Sequence, residues 1–167
     1  GVISTSLELW EGLPCSRKFF RQRFWGTLSM LRIMLVDKYC WIKHMRLDPL
    51  TGTDPPGIKL RAAQGIEGAD FLLPGFWVWA RVIENLALLG YDHSNMMMAP
   101  YDWRIDFGSM EKRDHYFSRM KSSVEYLYES EQKKVVILCH SLGAMAWLYF
   151  MKWVEANPKE TGGFGGN

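Results

Sequence analysis

Residues 135–143 decide the fold of this 167-residue chain, and their sequence is Val135-Val136-Ile137-Leu138-Cys139-His140-Ser141-Leu142-Gly143. The first four residues are apolar without interruption, which is typical of a strand buried on both faces of a parallel sheet. The apolar spacing from Ala144 to Glu155 then predicts a helix. An apolar strand, a tight turn and a helix in this order favour an α/β fold.

A serine at a turn between a strand and a helix is typical of a nucleophile elbow. Such a turn lifts the Ser141 hydroxyl out of the sheet, and the N–H of Leu142 lies at a helix N-terminus that favours negative charge. That N–H can therefore stabilise the oxyanion of an acyl-transfer intermediate. The usual pattern is Gly-x-Ser-x-Gly, in which Cys139 replaces the first glycine here. The alternative is that Ser141 only caps the following helix.

No histidine follows Ser141 in the sequence. In α/β hydrolases the acid and the base come after the nucleophile in chain order, so we expect the triad Asp and His to lie outside this chain. His140 adjoins Ser141, but neighbouring side chains on a tight turn diverge. Because a serine hydroxyl without a base is a weak nucleophile, the chain alone is predicted to be inactive.

Further helices and strands are predicted upstream of the elbow. Arg17 to Asp37 has the pattern of an amphipathic helix or helical lid. Helical spacing also covers Phe76 to Leu89 and Arg113 to Ser130, and short strands are expected at Ile58 to Arg61 and Asn95 to Ala99. Too few strands are visible for a complete doubly wound sheet. We therefore predict the N-terminal portion of an α/β-hydrolase fold, with a lid or cap segment.

The composition limits the classes of function. Apolar residues make up 48% of the chain and the net charge is +2, so the chain is globular and shows no basic stripe for nucleic acid. Eight Trp and ten Met fit either a large core or a surface that meets lipid. No apolar run reaches the roughly 20 residues of a membrane-spanning helix. The His residues are scattered and the Cys residues lack the spacing of a zinc site, so no metal ion is predicted. No organic cofactor is expected either.

Several blocks, in order along the chain, resemble the lecithin:cholesterol acyltransferase family, and within it the phospholipid:diacylglycerol branch of plants and algae. The resemblance covers nearly the whole chain. Its blocks are Leu7-Glu8-Leu9-Trp10-Glu11-Gly12, Asp54-Pro55-Pro56-Gly57-Ile58, Ala99-Pro100-Tyr101-Asp102-Trp103-Arg104, His140-Ser141-Leu142-Gly143 and Phe150-Met151-Lys152-Trp153-Val154-Glu155.

The resemblance implies an acyl-CoA-independent O-acyltransferase. Ser141 would take a fatty acyl group from a membrane phospholipid and pass it to diacylglycerol, leaving lysophospholipid and triacylglycerol. It further implies a membrane surface as partner and an endoplasmic reticulum location with the catalytic domain in the lumen. The chain starts at Gly1 and ends in a glycine-rich stretch, so residues 1–167 are expected to be the N-terminal part of a single domain.

The resemblance also assigns two features of the N-terminal third. Gly1-Val2-Ile3 is similar to the family loop that supplies the second oxyanion donor, which would be the backbone N–H of Ile3 with Val2 beside it. Cys15 and Cys40 resemble the pair that closes the lid loop, so the lid would span about residues 15–40. Two buried thiols are the alternative. If Cys15 and Cys40 are paired, Cys139 has no partner left and is expected to be a buried thiol.

Two pairs of residues are candidates for contact with the acyl chains or the pocket rim. Phe24 and Trp25, in the lid segment, suit acyl chains or membrane, with core packing as the alternative. Asp102 and Arg104 are two residues apart, which on an extended stretch puts them on one face. They would pair at the pocket rim, or they form an ion pair that only shapes the loop.

Two other functions fit the same residues. A phospholipase or lipase would use water as the acyl acceptor, since exclusion of water depends on the shape of lid and pocket. A non-catalytic lipid-binding module is the alternative from a different class, because Cys139 departs from the elbow pattern.

Overall fold

A computed structural model describes residues 1–73 and 75–156 of the chain. Over these residues the structure mixes α-helices with two small antiparallel sheets, so the coarse prediction of a mixed helix and sheet fold is confirmed. The glycine-rich C-terminal stretch lies outside the described residues.

The larger sheet contains the antiparallel strands β1 (Leu7–Glu11), β2 (Arg23–Trp25) and β3 (Lys59–Ala62), in the order β2-β1-β3. In the central strand Leu7 and Leu9 are buried, Glu8 between them is half-buried and Trp10 is exposed, as the alternation of a strand requires. The strand predicted at Ile58 to Arg61 is confirmed with a shift of one residue.

The remaining elements are mostly helical, and they include a short two-stranded hairpin. The last helix confirms the prediction for the segment after Ser141. The hairpin strands are β4 (Phe71–Leu73) and β5 (Phe76–Trp77); the helices are α1 (Thr27–Val36), α2 (Lys38–Met45), α3 (Ala80–Leu88), α4 (Phe107–Asp114), α5 (Tyr116–Glu131) and α6 (Leu142–Glu155).

Two hydrophobic clusters hold these elements together, and burial of each large side chain stabilises the fold by about 1.5–3 kcal/mol. One lies between the three-stranded sheet and the lid segment, and the other joins α4, α5 and α6. The first consists of Leu9, Phe19, Phe24, Ile33 and Leu60, and the second of Tyr101, Ile105, Met110, Tyr116, Phe117, Ala146, Phe150 and Trp153.

The prediction of one helix from Arg17 to Asp37 is wrong. A 3-10 helix (Pro14–Phe19), the strand β2 and the helix α1 divide this segment. Trp25 pairs with Leu7 of β1, and Gly26 then takes a positive φ of 81° at the start of α1. Tertiary pairing with β1 therefore overrides the helical spacing of the apolar residues.

Two predicted helices begin or break differently from the prediction. The helix expected from Phe76 starts only at Ala80, because Phe76–Trp77 pairs with β4. The helix expected from Arg113 to Ser130 is split at His115, whose φ of 51° is left-handed. The Glu111 carboxylate accepts from the N–H of Phe117 at 2.8 Å and so supports the new helix start.

Neither of the two strands predicted near the elbow is formed. Residues 95–99 and 135–138 have no strand assignment and no partner strand in the described part of the chain. Val136 is 74% exposed and Leu138 is 53% exposed, so the prediction of burial on both faces is wrong for this structure. A strand exists only with a neighbour that takes its backbone hydrogen bonds, and residues 1–73 and 75–156 supply none here.

Helix α3 shares this lack of cover. None of its residues is buried, although Val82, Ile83 and Leu86 recur at helical spacing. Among the helices that the structure describes, none is long and apolar enough to cross a membrane.

Candidate active site

Ser141 immediately precedes α6 and has φ 53° and ψ −127°. This backbone conformation is unfavourable for a residue with a side chain, and it is the kind of strain that a sharp strand-to-helix turn stores at functional sites. The residue is exposed, and its side chain makes no capping hydrogen bond. Ser141 therefore lies at the surface of the described structure. The alternative, in which Ser141 only caps the helix, lacks the hydrogen bond that such a cap requires.

The backbone N–H of Leu142 is the first of helix α6. The next two amides are used, because Gly143 donates to the His140 carbonyl at 2.9 Å and Ala144 donates to the Ser141 carbonyl at 3.0 Å. Leu142 has no acceptor among the described residues. A free N–H at the first position of a helix is suited to an anionic oxygen.

The loop Gly1-Val2-Ile3 lies beside this helix start. A β-carbon placed on Gly1 would be 3.7 Å from the Cβ of Leu142. The N–H groups of Val2 and Ile3 also donate to no acceptor in the described part of the chain. The structure thus brings together the two segments from which oxyanion donors were predicted.

Trp25 is tied to this loop. Its indole Nε1 donates to the Val2 carbonyl at 2.5 Å, so the lid segment contacts the candidate oxyanion loop directly. Its ring stacks on Trp41 at 6.5 Å and meets Trp103 edge-on at 5.1 Å. Trp25 therefore supports the position of the loop through an aromatic cluster.

Phe24 occupies a different environment from the one predicted for a pocket residue. Its side chain is completely buried in the cluster with Phe19 and Ile33, and its carbonyl accepts from Trp41 Nε1 at 2.8 Å. Successive side chains of a strand point to opposite faces, so Phe24 faces the core while Trp25 faces the loop. The core-packing alternative applies to Phe24.

Asp102 and Arg104 form the centre of a buried ion network. Arg104 Nη2 donates to Asp102 Oδ2 at 2.7 Å, and Nε donates to Oδ1 at 2.9 Å. Asp102 has no exposed surface and Arg104 is 4% exposed, so neither reaches a pocket rim. The alternative of an ion pair that shapes the loop fits this burial.

Two partners of this network were not predicted from the sequence. Arg113 Nη2 donates to Asp102 at 2.9 Å, and Asp54 accepts from Arg104 at 2.8 Å. Asp54 belongs to the block Asp54-Pro55-Pro56-Gly57 and Arg113 to the end of α4, far from Asp102 in sequence. The only signal for them was that a buried Arg104 needs more acceptors than one carboxylate offers.

Burial and charge oppose each other at Asp102. Burial alone raises the pKa of its carboxyl, but the hydrogen bonds and charges of Arg104 and Arg113 outweigh burial and leave the pKa below its ordinary value. Asp102 is therefore ionised at neutral pH and acts as the anchor of two guanidinium groups.

A disulfide between Cys15 and Cys40, whose Cα atoms are 6.3 Å apart, closes the segment that was predicted to be a lid. Beside it, His44 Nδ1 donates to the Cys40 carbonyl at 2.7 Å, and Ser16 Oγ lies 2.8 Å from His44 Nε2. Sulfur and nitrogen atoms of Cys15, Cys40 and His44 lie within 4.8 Å of one another. The two sulfurs are bonded to each other, so this cluster has no free thiolate for a metal ion.

Cys139 is a free thiol and is exposed, so the prediction that it is buried is wrong. The cause is the missing strand partner of residues 135–138, which leaves this whole segment uncovered.

A cavity of about 880 Å³ lies between α3, α5 and the elbow. Its wall is mostly apolar side chains, together with elbow residues that include His140 and Gly143. Representative lining residues are Val82, Met98, Tyr101, Leu127, Val135 and Trp147. The ring of His140 meets Trp79 edge-on at 6.3 Å. The Ser141 side chain makes no capping hydrogen bond to helix α6.

Comparison with known proteins gives a consistent picture. Residues 19–161 match the family model described as lecithin:cholesterol acyltransferase. The phospholipid:diacylglycerol acyltransferase of Schizosaccharomyces pombe is 52% identical over 98% of this chain and 26% of its own length. The phospholipid:diacylglycerol acyltransferase of Saccharomyces cerevisiae is 46% identical, over 93% of this chain and 24% of the relative. Phospholipid:diacylglycerol acyltransferase 1 of Arabidopsis thaliana is 47% identical, over 99% of this chain and 24% of the relative.

The chain therefore spans about a quarter of the length of the curated relatives that it matches. Fungal and plant relatives match to a similar degree.

Proposed function

Because the chain belongs to the lecithin:cholesterol acyltransferase family, we propose that its full-length gene product transfers a fatty acyl group from phospholipid to diacylglycerol. One observation carries the proposal. The strained, exposed Ser141 lies at the start of α6 beside free backbone N–H groups, within a chain that is 46–52% identical to phospholipid:diacylglycerol acyltransferases. The reaction makes triacylglycerol and lysophospholipid.

The transfer takes place in two steps. Ser141 Oγ attacks the ester carbonyl of the phospholipid, its proton passes to a base, and the lysophospholipid alkoxide leaves with that proton. The hydroxyl of diacylglycerol then attacks the acyl-serine ester and its proton restores the serine. The N–H groups of Leu142 and Ile3, with Val2 beside it, stabilise the oxyanion in both steps. No metal or organic cofactor is required by this chemistry.

The chain spans about a quarter of the length of its relatives, so we assign the base and its orienting acid to the part that it does not cover. The same additional polypeptide supplies strands that pair with residues 95–99 and 135–138. Their apolar, uncovered side chains support this, and burial of Val136 and its neighbours would complete the α/β-hydrolase sheet. Residues 1–167 are then the N-terminal part of one domain.

The disulfide-closed segment 15–40 serves as the lid that meets the membrane. It carries six Lys or Arg residues and a single acidic residue, Asp37, whereas the whole chain carries 20 basic and 18 acidic residues. Large apolar side chains stand exposed beside these cations, with Leu28 at 61%, Leu35 at 87% and Tyr39 at 79%. Cations beside exposed apolar side chains suit the boundary between the phosphate headgroups and the acyl chains of a lipid surface.

The disulfide also supports a location in an oxidising compartment, because cytosolic thiols are kept reduced. We place the catalytic domain in the lumen of the endoplasmic reticulum, at the membrane that holds both lipid substrates.

The decisive experiment incubates the full-length gene product with acyl-labelled phospholipid vesicles and unlabelled diacylglycerol, without acyl-CoA. We expect labelled triacylglycerol together with lysophospholipid, and no product from the Ser141→Ala variant. Labelled free fatty acid without triacylglycerol would assign water as the acceptor and make the protein a phospholipase. Vesicle binding without any product would assign a non-catalytic lipid-binding role.

A further inference from the structure

Tyr101 has a buried hydroxyl without a hydrogen-bond partner. The residue is 6% exposed, and its Oη makes no hydrogen bond to any residue that the structure describes. Buried hydroxyl groups almost always have a partner, because the loss of hydration is otherwise uncompensated. The Tyr101 hydroxyl is therefore a donor available to an acceptor outside the described residues, and its position shows which acceptor fits.

The position of the hydroxyl shows where that acceptor belongs. A β-carbon placed on Gly1 would be 3.6 Å from Tyr101 Oη and 3.7 Å from the Cβ of Leu142. Tyr101 and Leu142 therefore flank the same side of Gly1. Tyr101 also lines the cavity that includes Cys139 and Gly143 of the elbow. The unpaired donor thus lies where the two candidate oxyanion segments meet.

Tyr116 provides an internal comparison. Its ring lies 5.4 Å from that of Tyr101 and the residue is equally buried, yet its hydroxyl donates to the Ala99 carbonyl at 3.0 Å. The described residues therefore provide a hydrogen-bond acceptor for the hydroxyl of Tyr116 but none for that of Tyr101 beside Gly1. Burial raises the pKa of Tyr101 to about 12, so its hydroxyl keeps its proton and can donate at neutral pH.

We propose that the Tyr101 hydroxyl donates a hydrogen bond to the carbonyl oxygen of the acyl ester bound at Ser141. This inference rests on the proposed function, and it adds a side-chain donor to the backbone N–H groups. The oxygen gains negative charge when Ser141 adds to the carbonyl, so the hydrogen bond strengthens as the reaction proceeds. The substrate class is an ester, whose carbonyl is an acceptor without a competing donor.

The test measures how fast a fluorophosphonate probe labels the full-length gene product, because its phosphonyl oxygen takes the place of the oxyanion. We expect the Tyr101→Phe variant to be labelled at least about tenfold more slowly than the wild type, as for loss of one oxyanion donor. Its melting temperature should be unchanged or higher, since no protein hydrogen bond is lost. The Tyr116→Phe control should melt at a lower temperature but be labelled at the wild-type rate.

Each remaining outcome decides against the inference. An unchanged labelling rate in Tyr101→Phe overturns it, and so does slower labelling that comes with a lower melting temperature, which would indicate a structural role. The Ser141→Ala variant distinguishes a failure of the proposed nucleophile from a failure of the Tyr101 inference. If it still reacts with the probe, the proposed nucleophile is wrong and the Tyr101 inference fails with it. If it is silent while Tyr101→Phe behaves as wild type, only the Tyr101 inference fails.

Discussion

Two serines of this chain have opposite environments. Ser16, beside the Cys15–Cys40 disulfide, has its hydroxyl 2.8 Å from His44 Nε2, and both residues are completely buried. Ser141, at the start of α6, is exposed and strained at φ 53° but has no histidine after it in the sequence. The serine that has a histidine thus has no access to substrate, and the serine with access has no base.

A short distance between a serine and a histidine is therefore not sufficient for a catalytic site. The N–H of Leu13 donates to His44 Nε2 at 3.2 Å, and Nδ1 donates to the Cys40 carbonyl, so this imidazole is fully used as a structural bridge. The region around it is internally complete. At the elbow, by contrast, the free N–H groups and the uncovered segment 135–138 both await partners.

The contrast between Ser16 and Ser141 is tested most directly by exchanging each serine for alanine in the full-length gene product. We expect Ser141→Ala to lower triacylglycerol formation by at least about 10⁴-fold, because the nucleophile is lost. Ser16→Ala should leave kcat/KM within about twofold while lowering stability by about 1 kcal/mol. Loss of turnover in a folded Ser16→Ala variant would show that the buried pair is catalytic. Esterase activity from the purified 167-residue chain that disappears in Ser141→Ala would contradict the expected inactivity of that chain.

The buried ion network of Asp102 adjoins the region around Ser16, because Arg104 Nη1 donates to the His44 carbonyl at 3.3 Å. Asp102→Asn leaves Arg104 and Arg113 facing a neutral amide in a buried site, so we expect a loss of about 3–5 kcal/mol in the free energy of unfolding. The exposed pair of Arg81 and Glu84, at 2.7 Å, is the matched control. Glu84→Gln should cost less than about 1 kcal/mol in the same chemical denaturation experiment. Equal effects of the two variants would mean that the network contributes no more than a surface pair.

The incompleteness of the elbow is tested at Val136, which is 74% exposed. We expect Val136→Ser to change the stability of the 167-residue chain by less than about 0.5 kcal/mol. In the full-length gene product it should cost about 1–3 kcal/mol, because the position becomes buried in the sheet. Leu60→Ala, at a buried position of β3, should cost about 2–5 kcal/mol in both. A neutral Val136→Ser in the full-length protein would contradict the proposed strand.

The smallest effect is expected from pH at His44. Burial lowers the pKa of His44, partly opposed by its hydrogen bond to the Cys40 carbonyl, so the folded state favours the neutral ring. The stabilisation is complete above the ordinary pKa of about 6.5 and declines as the pH falls below it, because the unfolded chain binds the proton more readily. Thermal unfolding measured on both sides of that pH should show a decline that is weaker in His44→Asn. The exposed His93 provides the control. If His93→Asn weakens the decline of the melting temperature with falling pH as much as His44→Asn does, burial of His44 is not its source.

Much of the local structure was predictable where a single element decides it. The strand near Ile58 and the helix after Ser141 follow from alternation and from apolar spacing, which are properties of the element itself. The lid segment was not predictable in the same way. Its apolar residues have helical spacing, but Trp25 pairs with Leu7 and converts part of the segment into a strand.

The candidate site divides in a similar manner. Ser141 and Leu142 were identified from the strand, turn and helix pattern, and Gly1 to Ile3 from the family resemblance. The roles of Asp54, Arg113 and Tyr101 depend on contacts between residues far apart in the chain, which no local pattern contains.

By itself the sequence determined the family, the position of the serine and the helix that follows it, because these depend on motifs and on periodicities within short segments. The packing of distant segments revealed that Phe24 is core while Trp25 contacts the candidate oxyanion loop, and that Asp102 and Arg104 form a buried ion pair. It also revealed that the Tyr101 hydroxyl beside Gly1 has no partner among the described residues. The physical reason is that burial and hydrogen-bond satisfaction are properties of an environment. That environment is assembled from side chains that the sequence keeps far apart.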